Sequence, residues 1–386
     1  MEKTQVYSLV NNATSEILGE SALLKEDLSN VVDIGTAVFN ANAVDDYVRS
    51  LVNQVGKVIF VNRPYAGGAP SVMMDSWQYG SVLEKITAEL PEATENESWE
   101  LNDGEDYSQD IFYKPNVSAK FFDKRVTFEI DMSFTERQVK QSFQSPAQLN
   151  GFTSMLYNSI DRSMTVKTDA LIGRTINNMI AETVKAEYGS ANINSKSTVK
   201  AVNLLYEYNQ KNSTSLTADD ALTTPAFIRY ASFRMGLYQS RMTKISKLFN
   251  VGGKDRFTPA DYLHIVLLSE FAKSAMAYLE ADTFHNSLIA LPTAETVPYW
   301  QGSGTGYSFT DTGKVYVKDA SGDDVTVTGV LGVMFDRDAL GVTVFDDERR
   351  VTTHYNAKAE FFNNYYKFGA GFYNDLCENF VVFFVA

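Results

Sequence analysis

The chain has 386 residues, with 34 Lys plus Arg against 48 Asp plus Glu, so its formal net charge is −14 and its isoelectric point about 4.8. So acidic a surface argues against a general nucleic-acid ligand, because phosphate binding depends on excess Lys and Arg, and the single cysteine, Cys377, excludes an internal disulfide and any Cys-rich zinc site. The length suits two or three domains. The apolar run Phe380 to Ala386 is far short of the roughly 20 residues of a membrane span.

The N-terminal MEKTQVYSLV lacks a charged-then-apolar signal, which points to a product of a reducing cytosol. Residues 1–76 read as an arm with short helices and no compact domain. Val44, Tyr47, Val48 and Leu51 mark an amphipathic pair of turns, and 62–70 is a loop by its Gly and Pro content.

From Tyr79 to Leu90 the chain alternates with period two: Val82, Ile86, Ala88 and Leu90 on one parity, Leu83, Lys85, Thr87 and Glu89 on the other. A return strand is expected from Val117 to Ser133, with Val126, Phe128, Ile130 and Met132 on one side. Twelve or so residues per strand give an arm of about 40 Å. An isolated two-stranded ribbon is marginal in water, so its apolar row calls for a further surface, for which a neighbouring subunit is a candidate.

Between these strands, Pro91 to Asp110 holds eight acidic residues and no Lys or Arg. Such a run is ordinarily a solvated tip. The alternative is a complementary contact, because residues 221–254 carry no acid but hold Arg229, Arg234, Arg241, Lys244, Lys247 and Lys254. The candidate interface residues are therefore Glu92, Glu95, Glu97, Trp99 and Glu100 on the tip, meeting Arg241, Lys244 and Lys247 of another copy. Contact with nucleic acid is a rival use of the basic stretch.

A long helix begins at Ser145-Pro146, a capping hydroxyl followed by a residue suited to the first helical position. Leu149, Phe152, Leu156, Ile160 and Met164 form one stripe, and Leu171, Ile172, Ile176, Met179, Ile180 and Val184 continue it. Unbroken to Glu187 it spans roughly 60 Å, with a kink or break expected between Ser163 and Thr168.

Beyond Ser197 the texture is ordinary α/β. Ser197 is expected to cap a helix carrying Ala201, Leu204, Leu205 and Tyr208, and Thr224-Pro225 to open one reaching about Phe249. Tyr262 to Leu268 reads as a buried strand, followed by a helix to Ala281. Lys314 to Val317 and Val325 to Thr328 flank a turn at Ala320 to Asp323, a hairpin in a surface insertion.

Chemistry is sparse. The three histidines, His264, His285 and His354, form no HExxH motif, and no nucleophile elbow or P-loop occurs. Gly302 to Gly306 reads as a flexible loop, Gly322-Asp323-Asp324 as a turn, and Asp336-Arg337-Asp338 as a local ion pair. His264 reads as a core residue and Cys377 as a small buried side chain. No catalytic constellation, cofactor or metal site is expected. Tyr and Phe number 21 and 25 and crowd the tail from Tyr355 to Phe384, which suits cores and subunit interfaces alike.

Gly80 to Ile86 with Leu90-Pro91-Glu92, then Lys120-Phe121-Phe122 with Thr127 to Ile130, resemble the two strands of an extension loop. Gly332 to Val342, Arg349 to Asn356, Phe361 to Tyr366 and the last strand, Glu378 to Ala386, carry the resemblance further. In this order the chain from about Val44 onward resembles a tailed-bacteriophage major capsid protein of the Hong Kong 97-like (Johnson) fold, most similar to those of small short-tailed phages of Gram-positive hosts. The resemblance implies an α+β fold: an N-terminal arm at 1–76, an extension loop at 77–120, and a peripheral domain at 121–196 with a spine helix at 146–187. An axial domain at 197–348 follows, with the hairpin insertion at 302–332, then return strands at 349–376 and a final axial strand at 377–386. It further implies hexamers and pentamers that tile an icosahedral head around double-stranded DNA, held by weak non-specific contact. A separate scaffolding protein, a portal and a candidate decoration protein would be partners, without any membrane. Assembly would occur in the host bacterial cytoplasm and the product would reside in the virion. Two alternatives stand beside this: an encapsulin-like nanocompartment shell, and a phage adhesin or carbohydrate-binding protein, which would not need the long helix.

Overall fold

The computed structural model describes residues 3–18, 25, 29–40, 46–51, 70–73, 83–89, 91, 103–104, 110, 114, 116–189, 192–280, 293–300, 313–318 and 324–386. Three helices open the chain: α1 (Lys3–Leu18), α2 (Val31–Asn40) and α3 at 46–51. Contrary to expectation they share a core. Val10, Ala13, Val31, Ile34, Val38, Tyr47, Val48 and Leu51 are buried together with Leu149, Phe152, Leu156, Ile160 and Met164. Their apolar stripe finds its partner a hundred residues downstream. A Cβ at Gly35 would collide with the Phe143 ring, so glycine lets α2 approach this closely.

The extension region departs from the sequence expectation. Strand β1 (Leu83–Ala88) pairs antiparallel with β2 (Val117–Phe122), Leu83 opposite Phe122 and Ala88 opposite Val117. The expected continuous return strand is interrupted at Asp123-Lys124, and β3 (Arg125–Thr135) pairs elsewhere. The described ladder is therefore six residues per strand, about 20 Å, and residues 79–82 and 90 of the expected first strand lie outside the described residues. Val126, Phe128, Ile130 and Met132 instead pack towards the cores. Alternation alone could not place the break, since β2 and β3 each keep period two.

A capping box starts α4 (Glu136–Ser142): the Gln138 N–H donates to Thr135 Oγ1 at 3.3 Å and the Thr135 N–H to Gln138 Oε1 at 2.8 Å. The spine helix α5 (Pro146–Tyr188) follows, 43 residues long and about 65 Å, with Ser145 Oγ accepting from the Gln148 N–H. It is unbroken. At the position of the expected break, the Thr165 and Thr168 hydroxyls donate to the carbonyls of Asp161 and Met164, both at 2.9 Å, and the helix absorbs them. Leu149 to Met164 serve the first core, while Leu171 to Val184 serve a second, so one helix joins both.

The second core surrounds a five-stranded sheet. Its strands are β4 (Ala201–Asn203), β5 (Leu263–Leu268), β6 (Glu295–Val297), β9 (Val330–Asp336) and β12 (Phe380–Phe384), in the order β4-β12-β9-β5-β6. Every residue of the central strands β9 and β12 is buried, as a strand covered on both faces requires. Around it lie α6 (Leu204–Asn212), α7 (Ala218–Ala221), α8 (Pro225–Met242) and α9 (Ser269–Glu280). Two boundaries differ from expectation. Ser197 does not cap a helix: Ala201 to Asn203 is extended, Asn203 caps α6, and Ser197 Oγ accepts from the Asn203 N–H at 3.1 Å. Helix α8 ends at Met242 rather than Phe249, and Ser246 then pairs with Arg256.

β7 (Val315–Lys318) and β8 (Asp324–Val327) form the expected hairpin, with Val315 and Val327 buried in the second core. A three-stranded antiparallel sheet, β10 (Leu340–Asn356), β11 (Phe361–Asn374) and β3, completes the fold. β10 runs across positions 348–349, where the sequence reading divides axial from return segments, with a register irregularity between Phe345 and Arg350. The architecture is α+β, in the order N-terminal segment, ribbon, spine helix, five-stranded domain and return strands. Many of the tail aromatics are core: Phe362, Tyr366, Phe368, Phe380, Phe383 and Phe384 are fully buried.

Candidate assembly surfaces

The ribbon β1–β2 has two unlike faces. Glu84, Ile86 and Ala88 stand opposite Phe121, Ala119 and Val117, and all six are exposed, Ile86 by 64%, Phe121 by 62% and Val117 by 54%. This face is almost wholly apolar. Large apolar residues exposed side by side on a short ribbon signal a surface made for contact.

The other face, Leu83, Lys85 and Thr87 with Ser118, Lys120 and Phe122, lies on the chain's own body. Lys85 Nζ is 2.7 Å from Glu378 Oε1 and 3.0 Å from Asp375 Oδ2, and it also donates to the Asp338 carbonyl at 3.2 Å. Lys120 Nζ is 2.6 Å from Asp375 Oδ1, and the Phe122 ring lies 5.0 Å from that of Tyr373. Arg256 Nε reaches Glu378 Oε1 at 3.0 Å, and the Cys377 N–H donates to Asp375 Oδ1 at 3.0 Å. The two carboxylate side chains are only 1% and 9% exposed. Burial pushes the Asp375 pKa up, but the hydrogen bond from Lys120 and the charge of Lys85 prevail and hold it below the ordinary aspartate value. Burial likewise works to lower Lys120, and its bonds to Asp375 and Cys377 raise it on balance. At the far end of the ribbon Glu89 pairs with Lys254 and accepts from Asn116, whose carbonyl accepts the Glu89 N–H at 2.9 Å.

The sequence candidates divide. Glu92, Glu95, Glu97, Trp99 and Glu100 lie outside the described residues. Arg241, Lys244 and Lys247 are exposed, and the first two line a groove of about 530 Å³ with Val199, Ile245 and Leu248. Lys247 sits 3.4 Å from Asp255, and Arg234 is bound by Glu207 through two nitrogens at 2.7 and 2.8 Å. Sequence reasoning missed Lys85, Lys120, Arg256, Asp375 and Glu378. The signal was that both lysines fall on the ribbon face opposite Ile86 and Phe121, while the two acids precede the last strand.

His264 stacks on Phe335 at 5.6 Å, and Cys377 is partly buried. Asp336 is buried and accepts from the Asp338 N–H at 2.9 Å, a local turn. Among the described residues no group of three or more His, Cys, Asp or Glu is placed to hold a metal, and no helix is long and apolar enough to cross a membrane.

A family model described as Phi29-like phage major capsid protein matches residues 9–384. The chain is similar to a capsid structure of Staphylococcus phage Andhra, with TM-score 0.48 and 10% identity over 84% of this chain and 86% of the other. It is also similar to a capsid structure of cyanophage P-SCSP1u, with TM-score 0.44 and 10% identity over 82% and 86%, and to a structure of Mycobacterium phage Ogopogo, with TM-score 0.41 and 12% identity over 84% and 94%. No curated protein is significantly similar in sequence.

Proposed function

The chain belongs to the Phi29-like phage major capsid protein family, and from that premise we propose that it builds an icosahedral head of hexamers and pentamers around double-stranded DNA. Its role is structural, and it associates with copies of itself in the phage capsid; the nanocompartment and adhesin readings find no support. The observation that carries the proposal is the two-faced ribbon: one face is ion-paired to its own subunit, while Ile86, Val117 and Phe121 point into solvent. In the shell that apolar face lies on the adjacent subunit, and the repeated contact closes the lattice.

The acidic tip with Glu92, Glu95, Glu97, Trp99 and Glu100 meets Arg241, Lys244 and Lys247 of another copy; the opposite charge of the segments and the exposure of the basic residues support this. A separate scaffolding protein and a portal act during assembly in the host cytoplasm, and packaged DNA is held without specific contacts, as the net charge of −14 favours. Electron microscopy of the purified protein, alone and with its candidate scaffold, tests the proposal. Closed shells or ring-shaped capsomers are expected; a persistent monomer under all conditions would refute it.

A further inference from the structure

Lys85 and Lys120 are direct cross-strand partners in the ribbon. Like charges placed opposite one another weaken a two-stranded ladder, so the ribbon taken alone has no use for this pair. What it meets is an anionic counterpart: Asp375 and Glu378, with side chains 1% and 9% exposed, bridged to both lysines and to Arg256. Side chains of a strand alternate faces, so the residues that seat one face decide which residues point away. Buried ion networks add little net stability, and in some proteins they set registry instead.

We propose that Asp375 and Glu378 are positioning residues: they capture Lys85 and Lys120 and thereby fix which face of the ribbon the subunit presents. With the lysines seated, Ile86, Val117 and Phe121 must point outward; with them unseated, the apolar face can fold back onto the subunit and is lost to a neighbour. Glu89 on Lys254 and Phe122 on Tyr373 mark the two ends of the seated ribbon, while the central network chooses its face. This inference rests on the assembly reading for its consequence, but the seating itself is a property of the single subunit.

The test uses full-length subunits and carbodiimide-mediated labelling of carboxylates, read by mass spectrometry. In K85E/K120E the labelling rates of Asp375 and Glu378 rise at least tenfold, while K85R/K120R stays within twofold of wild type because the charges are kept. Glu207, bound by Arg234 of α8 and outside this network, is the control for the body of the subunit and keeps its wild-type rate in both variants. In assembly reactions K85R/K120R forms the same particles as wild type and K85E/K120E forms irregular aggregates or none. Wild-type labelling in K85E/K120E, equal labelling in the Glu and Arg variants, or a parallel rise at Glu207 would overturn the seating. Raised labelling with normal particles would overturn its role in assembly. If wild type itself forms no particles under any condition, the assembly reading fails while the labelling result still decides the seating.

Discussion

Replacing Ile86 and Phe121 with aspartate separates subunit stability from assembly. Both side chains are more than half exposed in the subunit, 64% and 62%, so little buried surface is lost on substitution and the unfolding free energy should move by less than about 0.5 kcal/mol per site. In the proposed shell contact the same side chains would become covered. Full burial of such a residue is worth about 1.5–3 kcal/mol, and with roughly three-fifths still available each contributes about 1–2 kcal/mol to a contact. Losing both weakens one contact by about 2–4 kcal/mol, a factor of roughly 30 to 1,000, before the cost of bringing carboxylates into an apolar interface. Urea unfolding of the subunit and sedimentation of assembly mixtures measure the two quantities. I86D/F121D should unfold at the wild-type midpoint and leave no particles at concentrations where wild type assembles fully. Wild-type assembly, or a loss of several kcal/mol in subunit stability, would refute the reasoning.

Other expectations follow from the same geometry. Leu156→Ala and Ile176→Ala truncate fully or almost fully buried residues in the two halves of α5 and should each cost about 2–5 kcal/mol in denaturant unfolding. Val166→Pro, at a 65% exposed position in the middle of α5, removes a helix hydrogen bond without disturbing a packed side chain; a loss of about 3 kcal/mol is expected, and a neutral result would mean that the helix is interrupted there. Asp375 has a folded pKa below its unfolded one, so its stabilisation is present above the ordinary aspartate value of about 3.9 and lost as pH falls through the lowered value. Acid titration should therefore loosen the ribbon only below about pH 4, with Lys85, Lys120 and the Cys377 N–H facing the group and Arg256 held by the neighbouring Glu378, and D375N should abolish that step. Thr135→Ala breaks the capping box of α4 and should cost about 1 kcal/mol.

Local chemistry made part of this fold legible. Ser145-Pro146 and the stripe from Leu149 to Val184 announced the spine helix, and the breakers around residues 319–323 announced the hairpin. What failed were features decided by tertiary partners. Alternation ran on from Val117 to Ser133, so only pairing with β1 and β11 divides it at Asp123-Lys124. A break is expected between Ser163 and Thr168, yet the Thr165 and Thr168 hydroxyls bond back into a helix both of whose halves pack in cores. Residues 1–76 read as an arm with short helices and no compact domain because the partners of these helices, Leu149 to Met164 and Phe362 to Phe368, lie far along the chain. The apolar face of the ribbon was legible from parity. Its seating was not, since Asp375 and Glu378 lie more than 250 residues along the chain from the lysines they hold.

A cryo-electron microscopy map of assembled particles, resolved to side chains, tests the central claim most directly. The account requires Ile86, Val117 and Phe121 to lie against a neighbouring subunit while Lys85 and Lys120 remain on Asp375 and Glu378 of their own. A map in which that apolar face is bare to solvent, or covered by its own subunit, would contradict it.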